Sequence, residues 1–204
     1  MRKILYTTVS LLAAAPLFGI GYAYSGAYNV AASAPHSELG RWYLDLLRSR
    51  SIETRAATVP VRPPLSDAEI AEGAAHFDQM CVDCHGAPGR ERGIYGKGLR
   101  PTPPDLAGIA AHGEASELFW VVRHGIKLAG MPAFGATHDD HELWKIVAFV
   151  QELPGMSPGE YQQRTGRDAR GSSHTTREHV SSACSKRPVT GRSKKRRASI
   201  IPPA

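Results

Sequence analysis

The feature that most constrains this chain is the run Cys81-Val82-Asp83-Cys84-His85. Two thiols three residues apart on a helical turn can each bond one vinyl-derived carbon of a porphyrin, and the next residue then directs its imidazole at the iron. The C-x-x-C-H spacing is the attachment signature of covalently bound haem. The sequence therefore predicts that Cys81 and Cys84 carry haem and that His85 is an axial ligand of its iron.

Other roles of paired cysteines fit this chain less well. A redox-active Cys-x-x-Cys pair normally belongs to a β-α-β context, and no segment here alternates convincingly as a strand. A structural zinc site needs four ligands, but the chain has three cysteines and the third, Cys184, lies far away in a polar C-terminal region. An odd number of cysteines also argues against a disulfide framework.

A second iron ligand is predicted at Met131. This methionine lies in the loop 130–135, which is bounded by proline and glycine, and it follows His85 by 131 − 85 = 46 residues. A lone methionine is more often core filler, but rigid flanks between two helices favour a ligand, and a thioether on iron suits electron transfer. The other candidate donors fit less well because of their position or an expected surface role: Met80, Met156, His112, His124, His138 and His141.

Hydrophobic spacing predicts an all-α domain over residues 65–160. Three helices are expected: one from about Asp67 after a capping box at Ser66 and Glu69, one from near Ala115 to His124, and one from Asp139 or Asp140 to Pro154. Long segments rich in glycine and proline separate them. The apolar content is thin unless a large ligand fills the centre. The side chains expected to bury that ligand are Phe77, Leu106, Leu118, Val122 and Phe134.

The N-terminal segment predicts export of the rest of the chain. Arg2 and Lys3 precede an uncharged apolar stretch, Ile4–Tyr24, which as a helix reaches about 31 Å at a rise of 1.5 Å per residue. Two interpretations stay open. The stretch is an uncleaved membrane anchor, which its length favours, or residues 1–25 are a signal peptide that is cut between small residues. Both place everything downstream outside the cytoplasm.

Residues 26–64 are predicted to contain an amphipathic helix and a linker. The helix is expected over Ser37–Ile52, and its apolar residues fall at helical spacing: Leu39, Trp42, Tyr43, Leu46 and Leu47. Two placements remain open for it, packing on the main domain or lying on the membrane surface beside the anchor. The proline-rich stretch Thr58–Pro64 is expected to be an extended linker.

Residues 161–204 are predicted to form a disordered basic tail. From residue 165 onward there are ten Lys or Arg and two acidic residues, a charge of +8, so removing this stretch from the formal net charge of +6 leaves −2 for residues 1–164. The basic composition therefore belongs to the tail, and it gives no basis for assigning a nucleic-acid partner to the folded part.

The order of these pieces resembles class I cytochrome c over about residues 65–157. The matching pieces are a first helix with Gly73 and Phe77, the Cys81–His85 motif, a proline-rich loop, a short helix, the Met131 loop, and a last helix with Trp144 and Phe149. The resemblance implies a fold of three or four helices around one covalently bound haem c. Together with the N-terminal segment, it is similar to membrane-associated bacterial cytochromes with a single haem.

The resemblance also implies two structural roles. Gly73 is expected to let the first and last helices cross closely. The segment Pro103-Pro104-Asp105-Leu106 is expected to belong to the loop on the histidine side. There a backbone carbonyl, of Pro103 or of Pro104, would accept a hydrogen bond from the second ring nitrogen of His85.

These residues predict an electron-transfer protein and not an enzyme, acting as a carrier or as a subunit of an oxidoreductase complex. With His85 and Met131 on the iron, no substrate coordinates it. The expected partners are a dehydrogenase and/or a terminal oxidase, and the membrane. The expected location is the cytoplasmic membrane with the haem domain facing the periplasm, or the periplasm itself if the leader is cleaved. Two alternatives are a haem enzyme or gas sensor with a labile sixth ligand, and an interaction protein whose basic tail binds anionic lipid or polymer.

Overall fold

The computed structural model describes residues 1–166, and their regular structure is helical. In chain order the helices are α1 Arg2–Ser25, α2 Glu38–Ala56, α3 Asp67–Met80, α4 Val82–His85, α5 Ile94–Gly98, α6 Leu106–Ala110, α7 Ala115–His124, α8 Asp140–Glu152 and α9 Pro158–Thr165, with a 3-10 turn at Phe134–Ala136 before α8. β-type pairing within this range is limited to two isolated bridges, Ala87 with Arg90 and Ile126 with Met131. The predicted all-α class is confirmed.

Three of these helices begin with the same local device, a capping box. In each one the side chain of the residue before the helix accepts a hydrogen bond from a backbone N–H one turn later, and a glutamate at that later position accepts one from the first residue's N–H. Such a cap stabilises a helix start by about 1 kcal/mol. The pairs are Ser66 with Glu69 in α3, Asp139 with Glu142 in α8, and Ser157 with Glu160 in α9.

The core lies where α3 crosses α8. At the crossing, a Cβ added to Gly73 would overlap the carbonyl group of Lys145 and lie 2.9 Å from the backbone nitrogen of Ile146. Only glycine allows the two backbones to approach so closely. The predicted role of Gly73 is therefore confirmed.

Aromatic rings fill the space beside this crossing. Phe77 and Phe149 are fully buried, and their ring centroids lie 5.4 Å apart at an interplanar angle of 62°, the edge-to-face arrangement that aromatic pairs prefer. The apolar stripe of α8 is buried in full: Leu143, Ile146, Val147 and Val150. Haem is not needed to enclose these side chains.

Helix α9 corrects the boundary placed between residues 160 and 161. Tyr161 is 1% exposed, and its ring centroid lies 6.4 Å from that of Phe77. Its hydroxyl donates to Asp78 Oδ1 at 2.8 Å, and Thr165 is buried as well. The folded part therefore continues to Thr165, because a capped helix delivers one large aromatic side chain to the core. The predicted disorder of the rest of the tail falls, from residue 167 onward, outside the described residues.

Helix α1 is the one helix among residues 1–166 that passes a test for membrane spanning by length and composition. Its most apolar window has a mean hydropathy of 1.7, and none of that window is buried within the protein. A signal sequence near the N-terminus passes the same test. Both interpretations of this segment are therefore compatible with the structure.

Helix α2 forms where it was predicted and runs one turn further. The Ser37 side chain accepts a hydrogen bond from the backbone N–H of Gly40 at 3.1 Å, and the helix continues past Ile52 to Ala56. Its C-terminal end packs on α7, where Ala56 is 3% exposed. Every residue in the range 41–50 is exposed. One end of α2 therefore belongs to the domain, whereas most of its length does not.

Candidate haem site

The two cysteines and the histidine lie on a single turn. Cys81 is both the C-cap of α3 and the N-cap of α4. Its carbonyl accepts hydrogen bonds from the N–H of Cys84 at 3.1 Å and of His85 at 2.9 Å. Both thiols are free and partly buried. The structure thus brings three of the four predicted haem residues, Cys81, Cys84 and His85, together on one helical turn.

The environment of Cys81 differs from that of a redox-active thiol. Burial raises the pKa of the Cys81 thiol to about 12, and the neighbouring Cys84 adds to the rise. Redox-active pairs depend on the opposite, a thiol pKa lowered by nearby positive charge. The turn therefore holds Cys81 as a neutral thiol and does not prepare a thiolate for disulfide exchange.

The imidazole of His85 is oriented by one backbone group. Its Nδ1 lies 2.9 Å from the carbonyl oxygen of Pro104, which decides between the two neighbouring prolines that the sequence left open. Burial lowers the pKa of His85, the bond to Pro104 opposes this, and the charge of Arg92 lowers it further. A neutral imidazole that donates Nδ1–H to Pro104 keeps the lone pair of Nε2 available for a metal.

A cavity of about 530 Å³ lies beside His85. Leu106 and Met156 are among the apolar side chains that line it, and Arg92 is among the charged ones. The Nε of Arg92 is buried, and among residues 1–166 it has no hydrogen-bond partner. A Cβ added at Gly86 would lie 3.7 Å from Cγ of Arg92, so this arginine packs directly behind the histidine turn.

The loop that carries Met131 folds back on the end of α7. The amide of Ile126 donates to the carbonyl of Met131 at 3.3 Å. Gly125 ends α7 with a φ of +64°, and a Cβ added there would lie 2.6 Å from the carbonyl oxygen of Met131 and 2.7 Å from the carbonyl carbon of Pro132. Glycine is required at this position by both the dihedral angle and the close approach. The loop is therefore held by backbone contacts at Met131 and Pro132.

One segment connects the cysteine turn with the Met131 loop. A Cβ added at Gly96, in α5, would lie 2.5 Å from the carbonyl oxygen of Cys84. Three residues later, Leu99 meets the other loop, since a Cβ added at Gly130 would lie 2.6 Å from Cδ2 of Leu99. The segment 96–99 therefore touches the cysteine turn at one end and the neighbour of Met131 at the other.

Sequence reasoning did not single out this segment or Arg92. The only available signal for the segment was its repeated glycine, at positions 93, 96 and 98, which indicates close backbone approach without naming the partner. No pattern marks Arg92, because an arginine between Glu91 and Gly93 has the appearance of an ordinary surface residue.

The side chains around the turn fit a large apolar group. Four of the five side chains predicted to bury haem are only partly buried, and each packs against the core: Leu106, Leu118, Val122 and Phe134. Phe77 differs, because other protein side chains enclose it completely. Two free thiols, an oriented imidazole and several half-buried apolar side chains match the attachment points, the metal ligand and the flat apolar body of haem.

Comparison with known families agrees with this geometry. The family model described as cytochrome c oxidase, cbb3-type, subunit III matches residues 68–150. Residues 68–150 are a c-type cytochrome domain. No curated protein matches the chain. The match confirms the resemblance to c-type cytochromes, and the cofactor of the domain is covalently bound haem c with its iron.

The matched range positions the cytochrome domain within the fold. It begins in the first turn of α3 and ends in the last turn of α8, so it contains both cysteines, His85 and Met131. It leaves out α9, although Tyr161 belongs to the same core. A haem-based electron-transfer function follows from the domain, since its cofactor supplies a one-electron couple.

Proposed function

We propose that the cytochrome domain transfers single electrons through one haem that is bonded to Cys81 and Cys84, with His85 and Met131 as the axial ligands of its iron. The observation that carries this proposal is the bond from Nδ1 of His85 to the carbonyl of Pro104 at 2.9 Å. It directs Nε2 away from the backbone on the same turn that presents both free thiols. When bound, haem c supplies the ferrous–ferric couple.

The chain's own residues then have distinct tasks. Pro104 fixes the imidazole plane and increases the basicity of the ligand. Backbone contacts at Gly125 and Ile126 hold the Met131 loop, so its thioether stays in place in both oxidation states. A thioether ligand raises the reduction potential and occupies the position at which a substrate or gas would otherwise bind.

The half-buried apolar side chains have a second task, which is to exclude water. Leu118 and Val122 on α7 and Phe134 beside the methionine loop pack on the core at one face. Their other faces are available to the porphyrin. A dry, apolar surrounding favours the less charged ferrous form and raises the potential.

We further assign the chain to the cytoplasmic membrane, with α1 as an anchor and the cytochrome domain facing the periplasm. Arg2 and Lys3 stand at the inner flank of α1, as the positive-inside rule requires for this orientation. Because the matched family is a subunit of a cbb3-type oxidase, the proposed partners are a dehydrogenase that donates electrons and/or a terminal oxidase that accepts them. The chain would serve as their carrier or as an electron-transfer subunit.

The axial ligand set is tested by spectroscopy on matched variants of the full haem-containing chain. The oxidised protein is expected to show the weak red absorption band that marks sulfur bound to ferric haem, and Met131→Ala should abolish it. Met156→Ala is the control, since this methionine lies beside the cavity on the histidine side. Persistence of the band in Met131→Ala would contradict the assignment.

Binding of carbon monoxide distinguishes the proposed electron carrier from the alternative, a haem enzyme or gas sensor. The ferrous protein should bind carbon monoxide poorly, and Met131→Ala should bind it at least about tenfold more tightly because the sixth position opens. Equally tight binding by the unmodified protein would favour a labile sixth ligand and overturn the electron-carrier proposal.

A further inference from the structure

The apolar stripe of α2 has no protein partner among residues 1–166. Its five members repeat at the spacing of one helix face and are all exposed: Leu39 73%, Trp42 60%, Tyr43 53%, Leu46 39% and Leu47 49%. Soluble domains rarely leave so many large apolar groups together in water. A surface outside the cytochrome domain is therefore needed to cover this stripe.

The beginning of α2 is held close to the end of α1. The hydroxyl of Tyr28 and Nδ1 of His36 form a hydrogen bond of 3.2 Å, which closes most of the connection between the two helices. Inside it, the amide of Ala34 donates to the carbonyl of Ala31 at 2.9 Å. Even without these bonds, the connection 26–37 could span at most about 40 Å. The stripe therefore starts near the surface from which α1 emerges.

The composition of the two faces of α2 matches a lipid surface. Trp42 and Tyr43 are the aromatic residues that favour the headgroup level of a membrane. On the opposite side, Arg48 pairs with Asp45 at 3.1 Å, and Arg41 pairs with Glu38. An apolar face with aromatic residues and a polar face with arginines are typical of helices that lie in the membrane interface.

We propose that the first three turns of α2 lie in the headgroup region of the membrane that α1 enters, with the stripe turned toward the acyl chains. This inference rests on the anchoring of α1 in the proposed function. The C-terminal end of α2, where Ala56 is buried, packs on α7. Helix α7 is capped by Gly125, which lies against the backbone of Met131 and Pro132. The interfacial helix therefore sets the orientation of the cytochrome domain relative to the membrane, which the linker to α3 alone would leave free.

Site-directed photo-crosslinking on the full haem-containing chain tests this placement. The chain is inserted into vesicles of phosphatidylethanolamine and phosphatidylglycerol, with photoreactive benzoyl-phenylalanine in place of Tyr43. The matched control carries the same group in place of Arg48, five residues later and about 140° around the helix. Lipid adducts, read by mass spectrometry, are expected to be several-fold more abundant at position 43 than at position 48. Equal yields at the two positions, or no lipid adduct at position 43, would overturn the proposal.

Two further readouts identify the reason for a failure. An alkaline carbonate wash of the same vesicles reports on α1 alone. If the chain is washed off, the anchoring in the proposed function fails and this inference fails with it, whereas a retained chain without excess lipid adducts at position 43 refutes only the interfacial helix. In native membranes, adducts of position 43 with another protein instead of lipid would assign the stripe to a partner subunit and would also refute it.

Discussion

The crossing of α3 and α8 and the loops between Gly86 and Thr137 are stabilised in different ways. At the crossing, side chains such as Ala74, Leu143 and Phe149 are completely buried by one another. Between Gly86 and Thr137, Leu106, Leu118, Val122 and Phe134 are only partly buried, and Gly96 and Gly125 lie in close contact with neighbouring backbone. The helix pair is thus complete with protein alone, whereas the loops have partly open apolar side chains, which we propose that haem covers.

This difference has its largest expected effect when haem is withheld. In the double variant Cys81→Ser, Cys84→Ser, the loops lose their main apolar contact, so their amides should exchange on the order of 1,000-fold faster, or about 4 kcal/mol of local opening free energy. Amides of α3 and α8 should lose much less. Hydrogen exchange read by mass spectrometry measures both, and an equal loss in helices and loops would show that the two regions do not differ in this way.

The crossing itself is challenged by Gly73→Ala. The added methyl would overlap the carbonyl of Lys145, so the two helices must separate, at an expected cost of about 3 kcal/mol in the free energy of unfolding. Gly159→Ala in α9 is the control, because nothing lies within 4 Å of its new Cβ, and it should stabilise by about 0.5 kcal/mol. Denaturant unfolding of the haem-containing protein measures the change in the free energy of unfolding for both variants. Similar changes would show that the close approach of α3 and α8 does not require glycine at position 73.

On the haem side, the charge of Arg92 should influence the reduction potential. A positive group beside His85, the proposed axial ligand, disfavours ferric iron, so Arg92→Gln should lower the potential by about 40 mV, which corresponds to ~1 kcal/mol for one electron. Lys97→Gln is the control, since Lys97 lines the same cavity but is exposed and paired with Glu91 at 2.9 Å. Redox titration measures both shifts. A fall as large for Lys97→Gln would show a general charge effect and no special role for Arg92.

The smallest expected effect is on the pH dependence of stability, through Glu69 at the start of α3. Hydrogen bonds from the backbone and hydroxyl of Ser66, and then from His141, lower the pKa of Glu69 from 4.5 to about 2. Because the folded-state pKa is the lower one, this contribution to stability is present above pH 4.5 and is lost as the pH falls toward 2. Glu69→Gln should flatten the dependence of stability on pH in this window. An unchanged dependence would mean that other carboxyl groups account for it.

The parts that the sequence predicted well depend on local chemistry. The cysteine–histidine motif specifies its own geometry within one turn, and the capping box at Ser66 specifies where α3 begins. The start of α8 was expected at Asp139 or Asp140, and in the structure Asp139 caps it. The crossing at Gly73 followed from the family resemblance. For the motif and the capping box a few neighbouring residues are sufficient, whereas the crossing brings Gly73 against Lys145 on a distant helix and was expected only because of the resemblance.

The parts that the sequence did not resolve depend on the path of the backbone. Pro103 and Pro104 offer equivalent carbonyls, and only the course of the loop decides which one reaches His85. Tyr161 is followed by Gln162, Gln163 and Arg164, so a single buried side chain was assigned with its polar neighbours to the tail. The hydrophobic spacing of α2 likewise predicted a helix without indicating what covers it, because spacing alone carries no information about the partner.

The attachment of haem to Cys81 and Cys84 is tested most directly by mapping the haem-containing peptide. The full chain, matured in a host that attaches haem c, is denatured, digested and analysed by mass spectrometry. The account predicts one haem, retained after denaturation, on the peptide that contains Cys81 and Cys84, and none on the peptide that contains Cys184. Extraction of all haem into acidified acetone, with two unmodified thiols left at positions 81 and 84, would contradict it.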